Sequence, residues 1–346
     1  MMPTAPAVLA PPAQARGRPV GPTMRQHDYV DQGVFLPAGG ADRQAAGGWG
    51  DLEIALITHD PDLKEQRNRK LVNALAERGV SVRVLAPGRE TVCISGSGTA
   101  FIDGSGRELN PDLVVNGLYR NSGWGLDLVR AFELAGYPVV NRAEAWYRAK
   151  MKHLASAALA AAGVPQPPVV FSHGVPAPLW RRARRLGRRV VLKPWNSALG
   201  EGSARYPQAQ ITRERLGRWR RRHGSVYAQA YVPNPGRDIR VVVVGSEALG
   251  ASYRYARKGM WKTNVAAGGR PAYCRLTEPL RRLALAATRA VGLDVAGVDI
   301  IEGAERLQVL ELNAWPNYHG YDQIARVDVA GYLADYLIER ARRGTG

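Results

Sequence analysis

VAGVDIIEGAERLQVLELNA, residues 295–314, reads as two apolar strands around a polar centre that contains Gly303. A loop at residues 304–306 predicts a hairpin in which Asp299 lies directly across from Glu311. Opposed residues on paired strands hold their Cβ atoms about 4.5–5.5 Å apart, and residues two apart on a strand share a face. Asp299, Glu311 and Asn313 should therefore converge. Two carboxylates and an amide oxygen are hard donors of the kind Mg2+ takes. The plainer alternative is a hairpin whose acids face water. The apolar surroundings oppose it, because a buried carboxylate without a partner is costly.

Upstream, NPGRDIRVVVVGSEALGASYRY (residues 234–255) predicts a second hairpin, closed by Gly245–Ser246. Asp238 and Arg240 share a face of its first strand. Asp accepts hydrogen bonds from hydroxyls and Arg binds phosphate or a developing oxyanion, although a same-face ion pair is the simpler use of both. WKTNVAAGG (261–269) then offers Lys262 and Asn264 beside a Gly-Gly pair. Further upstream, VVLKPWNSALGEG (190–202) ends a strand on Lys193 and continues into a loop with Gly200 and Gly202. Glycines let backbone N–H groups approach phosphate oxygens, and a lysine supplies charge. The order is not that of a P-loop.

The strands around these motifs are joined by short turns, which predicts a largely antiparallel α+β region with helices at 177–186, 211–222, 277–291 and 328–342. A single helix is expected from Trp146 to Gly163. Before it the character changes. LEIALIT (52–58), a helical segment with Leu71 and Leu75 on one face, VSVRVL, PDLVVNG and YPVVN alternate strand with helix. That pattern predicts a parallel, doubly wound α/β sheet. Residues 1–48 are rich in Ala, Pro, Gly and Gln without a period, and are read as a disordered leader. The expected organisation is thus leader 1–48, α/β domain 49–142 and α+β domain 143–346.

Lys and Arg number 48 against 30 Asp and Glu, a formal +18 over 346 residues. Such an excess favours anionic partners but does not choose among them. Cys93 and Cys274 are too few and too far apart for a disulfide framework or a structural zinc site. No apolar run approaches the roughly 18 residues of a membrane span. The N-terminus lacks the pattern of a secretory signal. A cytoplasmic protein without a membrane partner is the expectation.

In their order, the segments resemble the ATP-grasp superfamily and, within it, the RimK-type alpha-L-glutamate ligases. The order is Lys152 in RAKMKHLASAALAAAGVP, then VVLKPWNSALGEG, AQAYVPNPGRDIRVVVVG, WKTNVAAGG, VAGVDI and VLELNAWP. The resemblance implies a Rossmann-like leading domain and an ATP-grasp domain of two subdomains. It implies an ATP-dependent ligase that joins a carboxylate to an amine through an acyl phosphate. Lys152 and Lys193 would grip the ATP phosphates, Ala230 and Tyr231 would border adenine, and Asp238 would hold the ribose. Lys262 and Asn264 would contact phosphate, Asp299, Glu311 and Asn313 would coordinate two Mg2+ ions (Mn2+ is the substitute), and Arg240 and Arg254 would meet the acyl phosphate. The amine would be L-glutamate; the carboxylate acceptor, the number of residues added and a homo-oligomeric state stay open.

The chain departs from the family pattern at Ala230, where Glu is usual, at Trp315 and Asn317 in the NAWPNYHG segment, at Tyr255 and at Lys262. A rival reading is a nucleotide-binding protein acting on a nucleic-acid or ribosomal partner. It rests on the arginine clusters LWRRARRLGRR and TRERLGRWRRRHG. Solvated arginine faces explain those clusters more simply, so nucleic acid is not expected as a partner.

Overall fold

The computed structural model describes residues 52–119, 123–195, 201–263, 268–318, 321, 324 and 327–344. The leader at 1–48, Gly200 and Asn264 lie outside them.

The chain begins with β1 (Glu53–Ile57), α1 (Gln66–Ala76) and β2 (Ser81–Leu85). A small antiparallel sheet follows, β3 (Thr91–Ser95), β4 (Gly98–Ile102) and β5 (Glu108–Leu109). β6 (Leu113–Asn116), α2 (Gly123–Leu134) and β7 (Val139–Val140) complete a parallel sheet in the order β2-β1-β6-β7. Strand alternation gives this sheet two apolar faces. Ala55, Ile57 and Val114 join one core with Val129 of α2, whereas Ile54, Leu56 and Val115 join another with Leu71 and Leu75 of α1.

Where one helix is expected there are two, α3 (Ala143–Lys150) and α4 (Lys152–Ala161). Met151 between them is extended, with φ −87° and ψ 97°. Its side chain is buried, and the next N–H, that of Lys152, donates to the Trp195 carbonyl at 3.1 Å. The break is therefore made by a distant strand end, with no Gly or Pro to announce it.

Two antiparallel sheets follow. The first is ordered β10-β9-β11-β8, from β8 (Val169–Ser172), β9 (Arg189–Lys193), β10 (Ala204–Pro207) and β11 (Val226–Ala230). Helices α5 (Ala177–Arg184) and α6 (Arg213–His223) cover one face: Leu179, Ala183, Leu216 and Trp219 pack on Val190, Leu192 and Ala228. The second is ordered β14-β13-β12-β15-β16, from β12 (Arg237–Val244), β13 (Glu247–Tyr255), β14 (Arg270–Cys274), β15 (Val295–Glu302) and β16 (Leu307–Asn313). α7 (Glu278–Val291) packs on it through Leu280, Ala284 and Val291. The parallel sheet followed by these two makes the α/β plus α+β class that the sequence predicts.

Both hairpins form. Gly245 sits at φ +58°, the left-handed conformation that its two-residue turn requires. Asp299 pairs with Glu311, but by another route than the short loop expected. The connection is Gly303–Arg306, which offsets the near-turn pairs by one residue (Ile301 opposite Gln308), and a bulge between Asp299 and Ile300 restores the pairing.

The last helix, α8 (Val329–Gly344), returns to the leading sheet, where Leu333, Leu337 and Ile338 join Ile54, Leu56 and Leu71. Asn141, fully buried at the end of β7, ties the same regions together. Its amide donates to the carbonyls of Val295 (2.8 Å) and Ala314 (2.6 Å), and its oxygen accepts from the N–H groups of Asp294 and Val295.

Candidate functional site

A cleft opens between the two antiparallel sheets. Alternation along β9 and β11 decides what lines it. Val190, Leu192 and Ala228 are spent on the helices, so Val191, Lys193 and Gln229 face the cleft. Lys152, first residue of α4, enters beside them. From the other sheet come Asp238, Arg254, Asp299 and Glu311, and from the loop after β13 come Trp261, Lys262 and Thr263.

Of the residues read from the sequence, Lys152, Lys193, Ala230, Tyr231, Asp238, Arg254, Lys262, Asp299 and Glu311 share this lining. Arg240 stands behind it and donates to Asp299 through Nε and through Nη2 (3.0 Å). Asn313 lies two residues beyond Glu311, opposite Gly297, and its amide donates to the Gly297 carbonyl at 3.5 Å. The N–H groups of Ala230 and Tyr231 donate to Pro168 and Arg189. A backbone contact to a purine at this strand end must therefore use carbonyl oxygens or the next N–H.

The charges interlock. Arg254, itself buried, forks onto Asp238 with two bonds of 2.7 Å and reaches Asp299 at 2.9 Å. Thr263 adds a donor to Asp238 at 2.5 Å. Burial opposes ionisation of Asp299, yet Arg240 and Arg254 overcome it and hold this carboxyl below the usual carboxylate range. Burial also opposes the charge of Arg254, and Asp299 and Asp238 outweigh it to raise its pKa. The two lysines are strained the other way: burial lowers Lys193, and pushes Lys152 down to about 8, with Glu311 opposing in both cases. Glu311 is thus the anion that both ammonium groups feel.

The oxygen donors suit a divalent cation. Among the described residues no three His, Cys, Asp or Glu side chains gather as a metal cluster. Asp299, Glu311 and the amide of Asn313 nevertheless occupy one end of one strand pair, and Asp299 is held in the ionised state a cation needs.

Sequence reasoning missed several neighbours. Arg237 binds Glu302 through bonds of 2.7 and 3.1 Å and donates to the Tyr255 hydroxyl at 3.0 Å, which gives Tyr255 a structural partner. Arg205 of β10 covers the rings of Tyr231 (4.7 Å) and Trp261 (5.6 Å), clasping one sheet to the loop of the other. A cation followed or preceded by nothing distinctive in sequence carries no signal of such a clasp. Trp315 and Tyr318, in the departing segment, dock on α1. Trp315 donates to Asn68 (3.0 Å) and its carbonyl accepts from Arg67 (3.0 Å), while Tyr318 donates to the Arg67 carbonyl (2.7 Å).

The family model described as a RimK-like ATP-grasp domain matches residues 152–337, more than half of the chain. The chain belongs to the RimK-like ATP-grasp family. Its relatives include the tetrahydromethanopterin:alpha-L-glutamate ligase of Methanosarcina acetivorans, 32% identical over 82% of this chain and 98% of that protein. The protein of the same name from Methanococcus maripaludis is 34% identical over 64% of this chain and 78% of its own length. Among solved structures, the ATP-grasp ligase PsnB complexed with minimal precursor superposes with a TM-score of 0.66 at 21% identity, covering 84% of this chain and 99% of that one; it shares the fold. As a RimK-like ATP-grasp protein, the chain is an ATP-dependent ligase that joins a carboxylate to an amine. Among the described residues no helix is long and apolar enough to cross a membrane.

Proposed function

We propose that this RimK-like ligase adds L-glutamate to an acceptor carboxylate that is first activated as an acyl phosphate. The observation that carries the reading is the opposition across one cleft: Lys152 and Lys193 on one wall, Asp299 and Glu311 backed by Arg240 and Arg254 on the other. Phosphoryl transfer needs little covalent help from a protein and depends on positioning and charge neutralisation. The names of the relatives support glutamate as the amine.

In this reading Lys152 and Lys193 neutralise the transferring phosphate, Lys262 reaches it from the loop after β13, and the family resemblance adds Asn264 as a further phosphate contact. Ala230 and Tyr231 border the adenine. Asp238 serves the ribose from a position where Arg254 and Thr263 hold it rigid. Asp299, Glu311 and Asn313 would hold Mg2+, or Mn2+ with the same oxygen preference, which supplies charge neutralisation at the phosphoryl oxygens. Arg240 and Arg254 offer donors to the oxyanion that forms when the amine attacks the acyl carbon and that collapses to the amide carbonyl as phosphate leaves. Release of ADP measured with glutamate, aspartate, glutamine and lysine, with mass analysis of products, tests the proposal. Equal or faster turnover with glutamine or lysine would remove the glutamate assignment and leave the general ligase.

A further inference from the structure

Residues 181–222 carry thirteen arginines and one lysine against two glutamates, which is +12 of the chain's formal +18. Lys193 and Arg205 belong to the cleft side, whereas the arginines of α5 and α6 share one outer surface. α5 and α6 lie side by side on the same face of the β8–β11 sheet, bridged by the Trp180 indole, which donates to the Ile211 carbonyl at 3.0 Å. Their apolar sides are consumed by the core, so the arginines point outward. Arg181 and Arg182 on α5, Arg185 at its C-terminal cap, and Arg221 and Arg222 on α6 are exposed. Among the described residues none of these five has a carboxylate within ion-pair range, whereas Arg218 is matched to Glu214.

This face lies on the far side of the sheet from the cleft. Leu192 and Val190 point to the helices while Lys193 and Val191 point to the site. Facing layers pack about 10 Å apart, so these arginines cannot touch the reacting atoms. A small acceptor seated in the cleft has no use for them. A chain long enough to pass around the edge of the sheet does.

The chemistry of the face selects among polyanions. Nucleic-acid surfaces combine cations with exposed aromatic platforms or base-reading groups. Here Trp219 is buried in the core, and the Trp180 ring is covered by Arg184 and Arg213 at 5.6 and 5.5 Å. What remains outward is a field of guanidinium forks, which match carboxylates and phosphates bidentately, without the aromatic platforms that hold single-stranded bases.

We infer that the outer face of α5 and α6 anchors an acidic segment of a polypeptide, the acceptor that this ligase extends. The identity of the anchored chain as acceptor rests on the glutamate-ligase reading; the binding itself does not. Anchoring raises the local concentration of the acceptor end at the cleft without adding a contact there, and glutamate addition makes the bound chain more anionic.

Fluorescence anisotropy of a labelled deca-glutamate peptide with the full chain, without ATP, tests this. Binding should weaken as salt rises. The variant R181E/R182E/R221E/R222E should bind at least about tenfold more weakly, while keeping its melting temperature and the upward shift in melting that ATP produces. If charge reversal itself lowers the melting temperature, the four Arg→Gln changes give the same reading with half the charge change. Equal affinity of wild type and variant for the peptide would overturn the inference and leave a solvated face. Tighter binding of a single-stranded ten-nucleotide RNA than of the peptide would overturn it in favour of a nucleic-acid partner. Peptide binding retained in a protein whose melting does not respond to ATP would sink the ligase reading and leave this one standing.

Discussion

Arg254 on β13 and Arg182 on α5 carry the same guanidinium into opposite surroundings. Arg254 is buried, forked onto Asp238 and touching Asp299, and its neighbours Arg240 and Arg237 are likewise forked onto Asp299 and Glu302. Arg181, Arg182 and Arg185 stand exposed, and among the described residues no carboxylate lies within ion-pair range of them. A desolvated cation is bound to its place, because leaving its partner alone in the interior costs about 3–5 kcal/mol. An exposed one contributes roughly 0–1 kcal/mol even when paired. The arginines of the site and those of α5 and α6 are therefore two populations: one builds the site, the other presents a charged surface.

The comparison can be broken most decisively at the acid end of the site. Glu311→Ala should lower ligation by at least about a thousandfold, since it removes a ligand of the cation whose charge neutralisation would be worth several kcal/mol to phosphoryl transfer. Its melting temperature should stay close to that of the parent, because Glu311 lines an open cleft. Near-normal turnover in a well-folded variant would remove it from the site.

Arg254→Met comes next. It strips one partner from each of two buried carboxylates, so a loss of about 3–5 kcal/mol is expected in chemical denaturation. The pH dependence sharpens this. The folded pKa of Asp299 lies below its unfolded value, so its stabilisation is present above the ordinary carboxylate range and is lost as pH falls through the folded value. Without Arg254 that folded value rises, and acid unfolding should begin at higher pH. An unchanged acid midpoint would show that Arg240 alone holds Asp299 ionised.

A smaller effect separates the lysines from the arginines. Lys152, at about 8, loses its proton as pH rises through that value, so ATP should bind more weakly above it, by up to about tenfold. Lys152→Arg should keep its affinity to higher pH, because a guanidinium does not titrate there. Titrations of ATP between pH 7 and 9.5 decide it; parallel curves for both proteins would place the pH dependence elsewhere.

The smallest effect belongs to the surface. Arg182→Gln should change stability by no more than about 0.5 kcal/mol. A larger loss in thermal or urea unfolding would mean that the outer face of α5 takes part in the fold, and the contrast between the two populations would fail.

What the sequence discloses follows the same division between local and distant causes. The β15–β16 hairpin was legible because its apolar alternation and its acids lie within twenty residues. The offset made by the Gly303–Arg306 loop and the compensating bulge were not, since a bulge at Asp299 depends on what the strand packs against. β10 and β14 escaped reading because edge strands carry little alternation, and Pro207 and Pro271 within them argue against a strand. The helix break at Met151 is set by a carbonyl forty-four residues away. In the site, Lys152 and Lys193 could be singled out by residue type and order. The Arg205 clasp and the Arg237–Glu302 pair join residues from separate elements, with no local pattern to mark them.

The return of α8 to the leading sheet bears on how the chain is made. Ile54, Leu56 and Val115 emerge early and meet α1 at once, but α8, which completes their cover, is synthesised roughly 190 residues after β7. At 5–20 residues per second, that apolar face waits on the order of 10–40 s for the rest of its cover. The leading sheet is thus expected to stay partly exposed during translation for longer than the later hairpins, whose partners follow sooner. Ribosome-bound chains halted before residue 329 should bind a hydrophobic dye that chains carrying α8 outside the exit tunnel exclude; equal dye binding would show that the early face is protected by something else.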